Sequence, residues 1–220
     1  MKNIFKSSIG RKIAMALSGV FLIVFLTQHF IINITSVFSE DIFNMLSHFM
    51  GNNPLVQFIL QPILIAGVLF HFVMGFVLEW QNRKARPVTY AMYKGSRNSM
   101  FVSRNMIISG IVILSFLVLH FYDFWVPEMD YKYIQVKPED PDRYYEELIH
   151  KFESPIRVSL YCLSFIFLGL HLVHGLSSST QSLGTNNKYA STIQKISYAF
   201  GIGIPLGFCF IALYHFFIHF

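Results

Sequence analysis

Five runs of apolar residues, each long enough to cross the hydrocarbon core of a bilayer, constrain this chain more than anything else in it: Ile13 to Ile34, Leu55 to Leu78, Met106 to Tyr122, Ile156 to Leu176 and Ile196 to Phe220. A spanning helix needs about 20 residues. The runs take up 109 of the 220 residues, and only 13% of the chain is charged, where a soluble chain carries about 25%. The expected fold is therefore all-α: a polytopic membrane protein built as one five-transmembrane-helix bundle. Its helices are expected over about 10–34, 54–83, 103–123, 155–183 and 192–220, with a single sizeable outer loop at 124–154.

The charges set an expected orientation. Lys2, Lys6, Arg11 and Lys12 precede the first run, Arg83, Lys84, Arg86, Lys94, Arg97 and Arg104 fill the second loop, and Lys188 and Lys195 the fourth. The first loop, Thr35 to Asn53, has no Lys or Arg, and the third holds most of the acidic residues. The positive-inside rule then puts the N-terminus in the cytoplasm and, after five crossings, the C-terminus outside. A bacterial cytoplasmic membrane is the expected location. The first run is too long for a signal peptide and lacks a small-residue cleavage site. Because the basic residues lie in membrane loops rather than on one face, no nucleic-acid partner is expected.

Local signals place the shorter pieces. Ile42, Phe43, Leu46 and Phe49 recur at helical spacing and predict a short interfacial helix in the first loop. Asn53 and Pro54 read as the cap and first residue of the second crossing, and Ser154 and Pro155 as those of the fourth. PEDPDRYYEELIHKF in the third loop reads as an amphipathic helix over the outer mouth, and Pro205 predicts a kink in the fifth crossing. Cys162 and Cys209 fall inside apolar runs, with no metal-type spacing.

Ionisable side chains within a bilayer are costly and mark functional candidates. Counting from the inner boundary at about 1.5 Å per residue, His29 and His120 lie roughly 24 and 23 Å in, and His71 and His171 roughly 12 and 14 Å in. Two couples at two depths, drawn from four helices, are what a stacked pair of bis-imidazole haems requires; zinc or copper wants three or four donors at one depth. Gly67 and Gly75 stand one turn either side of His71, and Gly175 one turn after His171, leaving room for a flat ring or for close helix packing. His174 competes with His171 but matches the depth of His71 less well, and suits a propionate or quinone environment. A haem-free transporter or proton channel using the histidines as a relay remains the rival from a different class. His48, His150, His215 and His219 read as loop or rim residues.

On these residues the whole chain resembles the di-haem cytochrome b membrane anchors of succinate:quinone oxidoreductases, the single-subunit, five-helix type of bacterial succinate dehydrogenases and fumarate reductases. The resemblance is carried by His171 with Gly175, Leu176 and the polar tail to Gly184, by RKIAMALSG from Arg11 to Gly19 ahead of His29, by HFVMG from His71 to Gly75, and by His120 before the acidic loop. It implies two haems b, the inner held by His71 and His171 and the outer by His29 and His120, and it favours His171 over His174. It further implies an iron–sulfur subunit and a flavoprotein subunit docked on the cytoplasmic face, and a membrane quinone, expected to be menaquinone, as electron partner. Asp41 and His48, with Glu40, are the acid–base groups expected near an outer quinone site. Gly51 and Gly169 stand where fumarate-reducing relatives carry glutamates. A cytochrome b subunit of another membrane dehydrogenase, such as a hydrogenase or formate dehydrogenase, is the nearer alternative.

Overall fold

The computed structural model describes residues 7–84, 106–184 and 189–219. Of the basic residues that set the expected orientation, Lys2, Lys6, Arg86, Lys94, Arg97, Arg104 and Lys188 lie outside the described residues. The described residues form seven helical segments: α1 (Ser8–Thr35), α2 (Glu40–Asn52), α3 (Val56–Lys84), α4 (Met106–Ile134), α5 (Arg143–Phe152), α6 (Pro155–Ser182) and α7 (Ala190–Ile218). The five long ones, α1, α3, α4, α6 and α7, are each long and apolar enough to cross a membrane.

Their starts follow from residues that satisfy orphan backbone donors. Ser7 Oγ accepts from Gly10 N at 2.9 Å, Ser39 Oγ from Ile42 N at 3.3 Å, and Asn53 Oδ1 from Leu55 N at 2.9 Å. Ser154 Oγ accepts from Arg157 N at 3.4 Å, with Pro155 in the first turn.

The bundle is centred on α6, which packs along α7 and also touches α4 and α1. In contrast, α3 has no fully buried residue, and Leu69, Val73 and Trp80 point outward, as a lipid-facing surface would. At the α6–α7 crossing a Cβ on Gly201 would lie 2.8 Å from the backbone nitrogen of Val173, and one on Gly169 3.0 Å from the Gly201 carbonyl oxygen. Pro205 has no N–H to offer that carbonyl. Gly169 therefore packs against a freed backbone oxygen, and a glutamate there would have no space.

One boundary differs from the sequence expectation. The third crossing does not end near Asp123 but runs on to Ile134 as one helix, so the first part of the expected 124–154 loop is helical. Pro127 sits inside this helix, where its ring crowds the carbonyl four residues back. Here the turn Phe121–Trp125 is π-helical, closed by Val126 N–H to the Phe121 carbonyl, and this wider turn lets the chain pass the proline.

The end of the bundle where α1 finishes is covered by α2 and α5, which pack on each other. Phe43 and Asn44 of α2 and Arg143, Leu148 and Phe152 of α5 are buried beneath them, while Ile42 and Phe49 face outward. We call this the capped end.

Candidate haem-ligating site

The two imidazole couples arise from helix phase and depth. His29 lies six residues before the end of α1, roughly 9 Å from the capped end, whereas His71 and His171 lie 15 and 16 residues into α3 and α6, roughly 23 Å away. The ring centroids of His29 and His120 are 5.7 Å apart with planes at 86°, and those of His71 and His171 are 6.3 Å apart at 66°. Each couple joins two helices, so the four rings tie α1 to α4 and α3 to α6.

Ring direction within each couple has local causes. His29 stacks on Phe25 and His120 on Phe116, each four residues earlier in its own helix, at 5.5 and 5.8 Å. His71 Nδ1 is 3.0 Å from Ser18 Oγ of α1, and His171 Nδ1 is 3.2 Å from the buried Ser109 Oγ of α4. His29 Nε2 is 3.4 Å from Asn33 Nδ2, while His120 Nδ1 is buried without a hydrogen-bond partner.

A metal with imidazole nitrogens on opposite sides, each about 2 Å away, has ring centroids about 6 Å apart. Both couples have that spacing. Among the described residues no group of three or more His, Cys, Asp or Glu side chains could hold an ion by itself. Two facing imidazoles complete the coordination only of a metal that brings its other ligands, as a porphyrin does. Two imidazoles at each level are the donors that a haem b would need there.

A comparison with protein-family models, curated proteins and solved structures finds no match. The site is accordingly read from its own geometry.

The glycines divide. Gly75 and Gly175 face only the methyl tips of Met15 and Met106, at 3.7 and 3.6 Å from a would-be Cβ, whereas Gly67 is filled by the ring of Phe21 at 2.7 Å. Gly19 and Gly110 lie beside the inner imidazoles: a Cβ on Gly19 would be 3.1 Å from Ser179 Oγ and 3.6 Å from His71 Cε1, and one on Gly110 3.9 Å from His171 Cε1. His174, one turn beyond His171, is half-buried. Asp41 is exposed in the first turn of α2, and His48, two turns on, donates Nε2–H to the Pro141 carbonyl at 3.1 Å and packs on Tyr144.

Three polar groups near the capped end were not singled out in the sequence. Asp123, 1% exposed, pairs through Oδ2 with Arg157 Nε at 3.0 Å and accepts from the Tyr161 hydroxyl at 2.9 Å, and its Oδ1 is buried without a partner. Tyr161 is also 6.4 Å from the His120 ring, centroid to centroid. Glu128 is bonded by Lys132, Arg143 and Tyr144, and its carboxylate lies 3.3 Å from a would-be Cβ on Gly51. The space next to Gly51 in α2 is thus taken by the Tyr144 hydroxyl of α5 together with Lys132 and Glu128 of α4. His215, expected at the rim, is 1% exposed and lies 2.9 Å from Ser36 Oγ through Nε2. A helical reading continued to Ile134 would have flagged Asp123 and Glu128; His215 carried no signal beyond its place near the end of an apolar run.

Proposed function

We propose that this chain is the membrane anchor and electron-transfer subunit of a succinate:quinone oxidoreductase, a cytochrome b with one haem b between His71 and His171 and a second between His29 and His120. The observation that carries the reading is the pair of imidazole couples: four histidines from four helices, two by two, at centroid separations of 6.3 and 5.7 Å and at two depths. Haem b, when bound, supplies a one-electron carrier at each level. The chain would supply imidazole nitrogen, apolar burial that tunes potential, and a spacing of roughly 14 Å between levels.

In this reading the capped end faces outward and carries the quinone, menaquinone, near the His29–His120 couple, where Asp123 and Tyr161 offer a buried acid and phenol. The opposite end faces the cytoplasm and docks the iron–sulfur subunit, which receives electrons from the flavoprotein oxidising succinate. The location is a bacterial cytoplasmic membrane with the N-terminus inside. The subunit assignment and the orientation rest on the sequence resemblance and the charge distribution; the haem assignment rests on the couples.

The test is the absorption spectrum of the purified chain from haem-sufficient cells, followed by succinate-driven reduction in the assembled complex. The expected result is a b-type cytochrome with two haems per chain that succinate reduces. A colourless protein would falsify the haem reading and leave the histidine relay. Two haems that succinate does not reduce would point to another membrane dehydrogenase.

A further inference from the structure

We infer that the dipeptides Ser18–Gly19 and Ser109–Gly110 are matched cradles that fix both imidazoles of the His71–His171 couple in one tautomer, protonated on Nδ1 with a bare Nε2. Each cradle lies on a neighbouring helix: α1 holds the ring from α3, and α4 holds the ring from α6.

The inference follows from counting protons. A serine hydroxyl has one proton to give. Ser18 Oγ is 2.8 Å from the Met15 carbonyl and 3.0 Å from His71 Nδ1, and Ser109 Oγ is 2.9 Å from the Met106 carbonyl and 3.2 Å from His171 Nδ1. In both, the shorter contact is the one to the carbonyl three residues back, as expected when O–H donates there, since O–H···O bonds are shorter than N–H···O bonds by about 0.2 Å. A carbonyl has no proton to return, so the hydroxyl that serves it can only accept from the ring. His71 and His171 therefore donate Nδ1–H to serine, and each is left with a lone pair on Nε2.

The glycine completes the cradle. Gly19 and Gly110 directly follow the serines and stand against Cε1 of the same two rings, the atom between the two nitrogens. With no Cβ there, the first cradle also leaves room for Ser179 Oγ, 3.1 Å from where a Gly19 Cβ would stand. The same device occurs twice, on two unrelated stretches of sequence. The His29–His120 couple lacks it: among the described residues His120 Nδ1 has no hydrogen-bond partner, and the one polar side-chain contact of His29 is the 3.4 Å one to Asn33.

Ser18 and Ser109 are thus positioning residues, acting through the imidazoles. A ring that donates Nδ1–H to an acceptor is a more basic axial ligand, which favours ferric iron. The role of the cradles as haem-ligand supports rests on the function proposed above; the tautomer itself does not. The test uses the full chain with S18A, S109A, S18T and S109T. In redox titrations and low-temperature EPR, each alanine variant is expected to raise the potential and shift the low-spin signal of one haem only, or to lose that haem, with the threonine variants restoring both. Alanine variants that leave both haems' potentials and signals unchanged overturn the inference while the haem reading stands. If the wild-type chain carries no haem, 15N spectra of labelled histidines decide: Nδ1–H at His71 and His171, lost in the matching alanine variant, supports the cradles, and Nε2–H in the wild type overturns them.

Discussion

Arg157 holds Asp123 across the α4–α6 contact at 3.0 Å, a carboxylate with no exposed side-chain surface paired to a guanidinium that is only partly covered. The two are not equivalent to remove. Losing the arginine leaves an uncompensated buried charge, a change that costs roughly 3–5 kcal/mol. Asp123→Asn keeps an acceptor for the Tyr161 hydroxyl and leaves a cation with access to water, at a cost of about 1–2 kcal/mol. Thermal unfolding in detergent is expected to place Arg157→Ala well below Asp123→Asn; the reverse order would mean that Arg157 is not what holds Asp123 in place.

That pair marks the limit of what could be read beforehand. The five crossings were legible because apolarity is local, and the short helices α2 and α5 because amphipathic spacing is local too. Matching His29 with His120 and His71 with His171 needed only a one-dimensional count of depth, and the structure brings the same couples together. The third crossing was expected to end at Asp123, and a π turn that carries the helix on past Pro127 leaves no sequence signature. Ser18, Ser109 and His215 take their roles from neighbours on other helices. A serine in an apolar run is as often bonded only to its own helix, as Ser115 is to the Ile111 carbonyl.

The couples predict a non-additive pattern of haem loss. If two imidazoles share one iron, His71→Ala and His171→Ala each halve the haem content by removing the same haem, and the double variant loses no more. His29→Ala and His120→Ala do the same for the other haem, which is distinguished by its EPR signal. Haem content per chain, measured as the pyridine haemochrome, checks this. A double variant within one couple that lost both haems would contradict the assignment.

The α6–α7 crossing predicts a steric contrast between two glycines of one helix. A methyl on Gly201 meets the Val173 backbone, which cannot rotate away, whereas one on Gly203 meets nothing within 4 Å. Gly201→Ala is expected to cost about 1–3 kcal/mol through overpacking, and Gly203→Ala to be neutral or slightly stabilising, since alanine is the better helix former. Thermal melts of the two variants under identical conditions decide it; equal stability would mean that the helices do not approach as closely as Gly169, Gly201 and Val173 indicate.

At the capped end, α5 predicts a loosening in two steps as the pH rises. Burial raises the Glu147 carboxyl above its ordinary 4.5, and the neighbouring Arg143 only partly offsets this. Burial and the adjacent Glu128 carboxylate raise the Tyr144 phenol above its ordinary 10.0. Both groups hold their proton more tightly folded than unfolded. Each therefore contributes stability that is fully present below its ordinary value and is lost as the pH climbs through its raised one. The first loss begins above pH 4.5 and belongs to Glu147; the second begins above pH 10 and belongs to Tyr144. Limited proteolysis of α5 across this range is expected to show both steps. Glu147→Gln abolishes the first and leaves the second, and Tyr144→Phe abolishes the second at the cost of its hydrogen bond to Glu128. Cleavage rates that fall with rising pH would reverse the sign and remove burial as the cause.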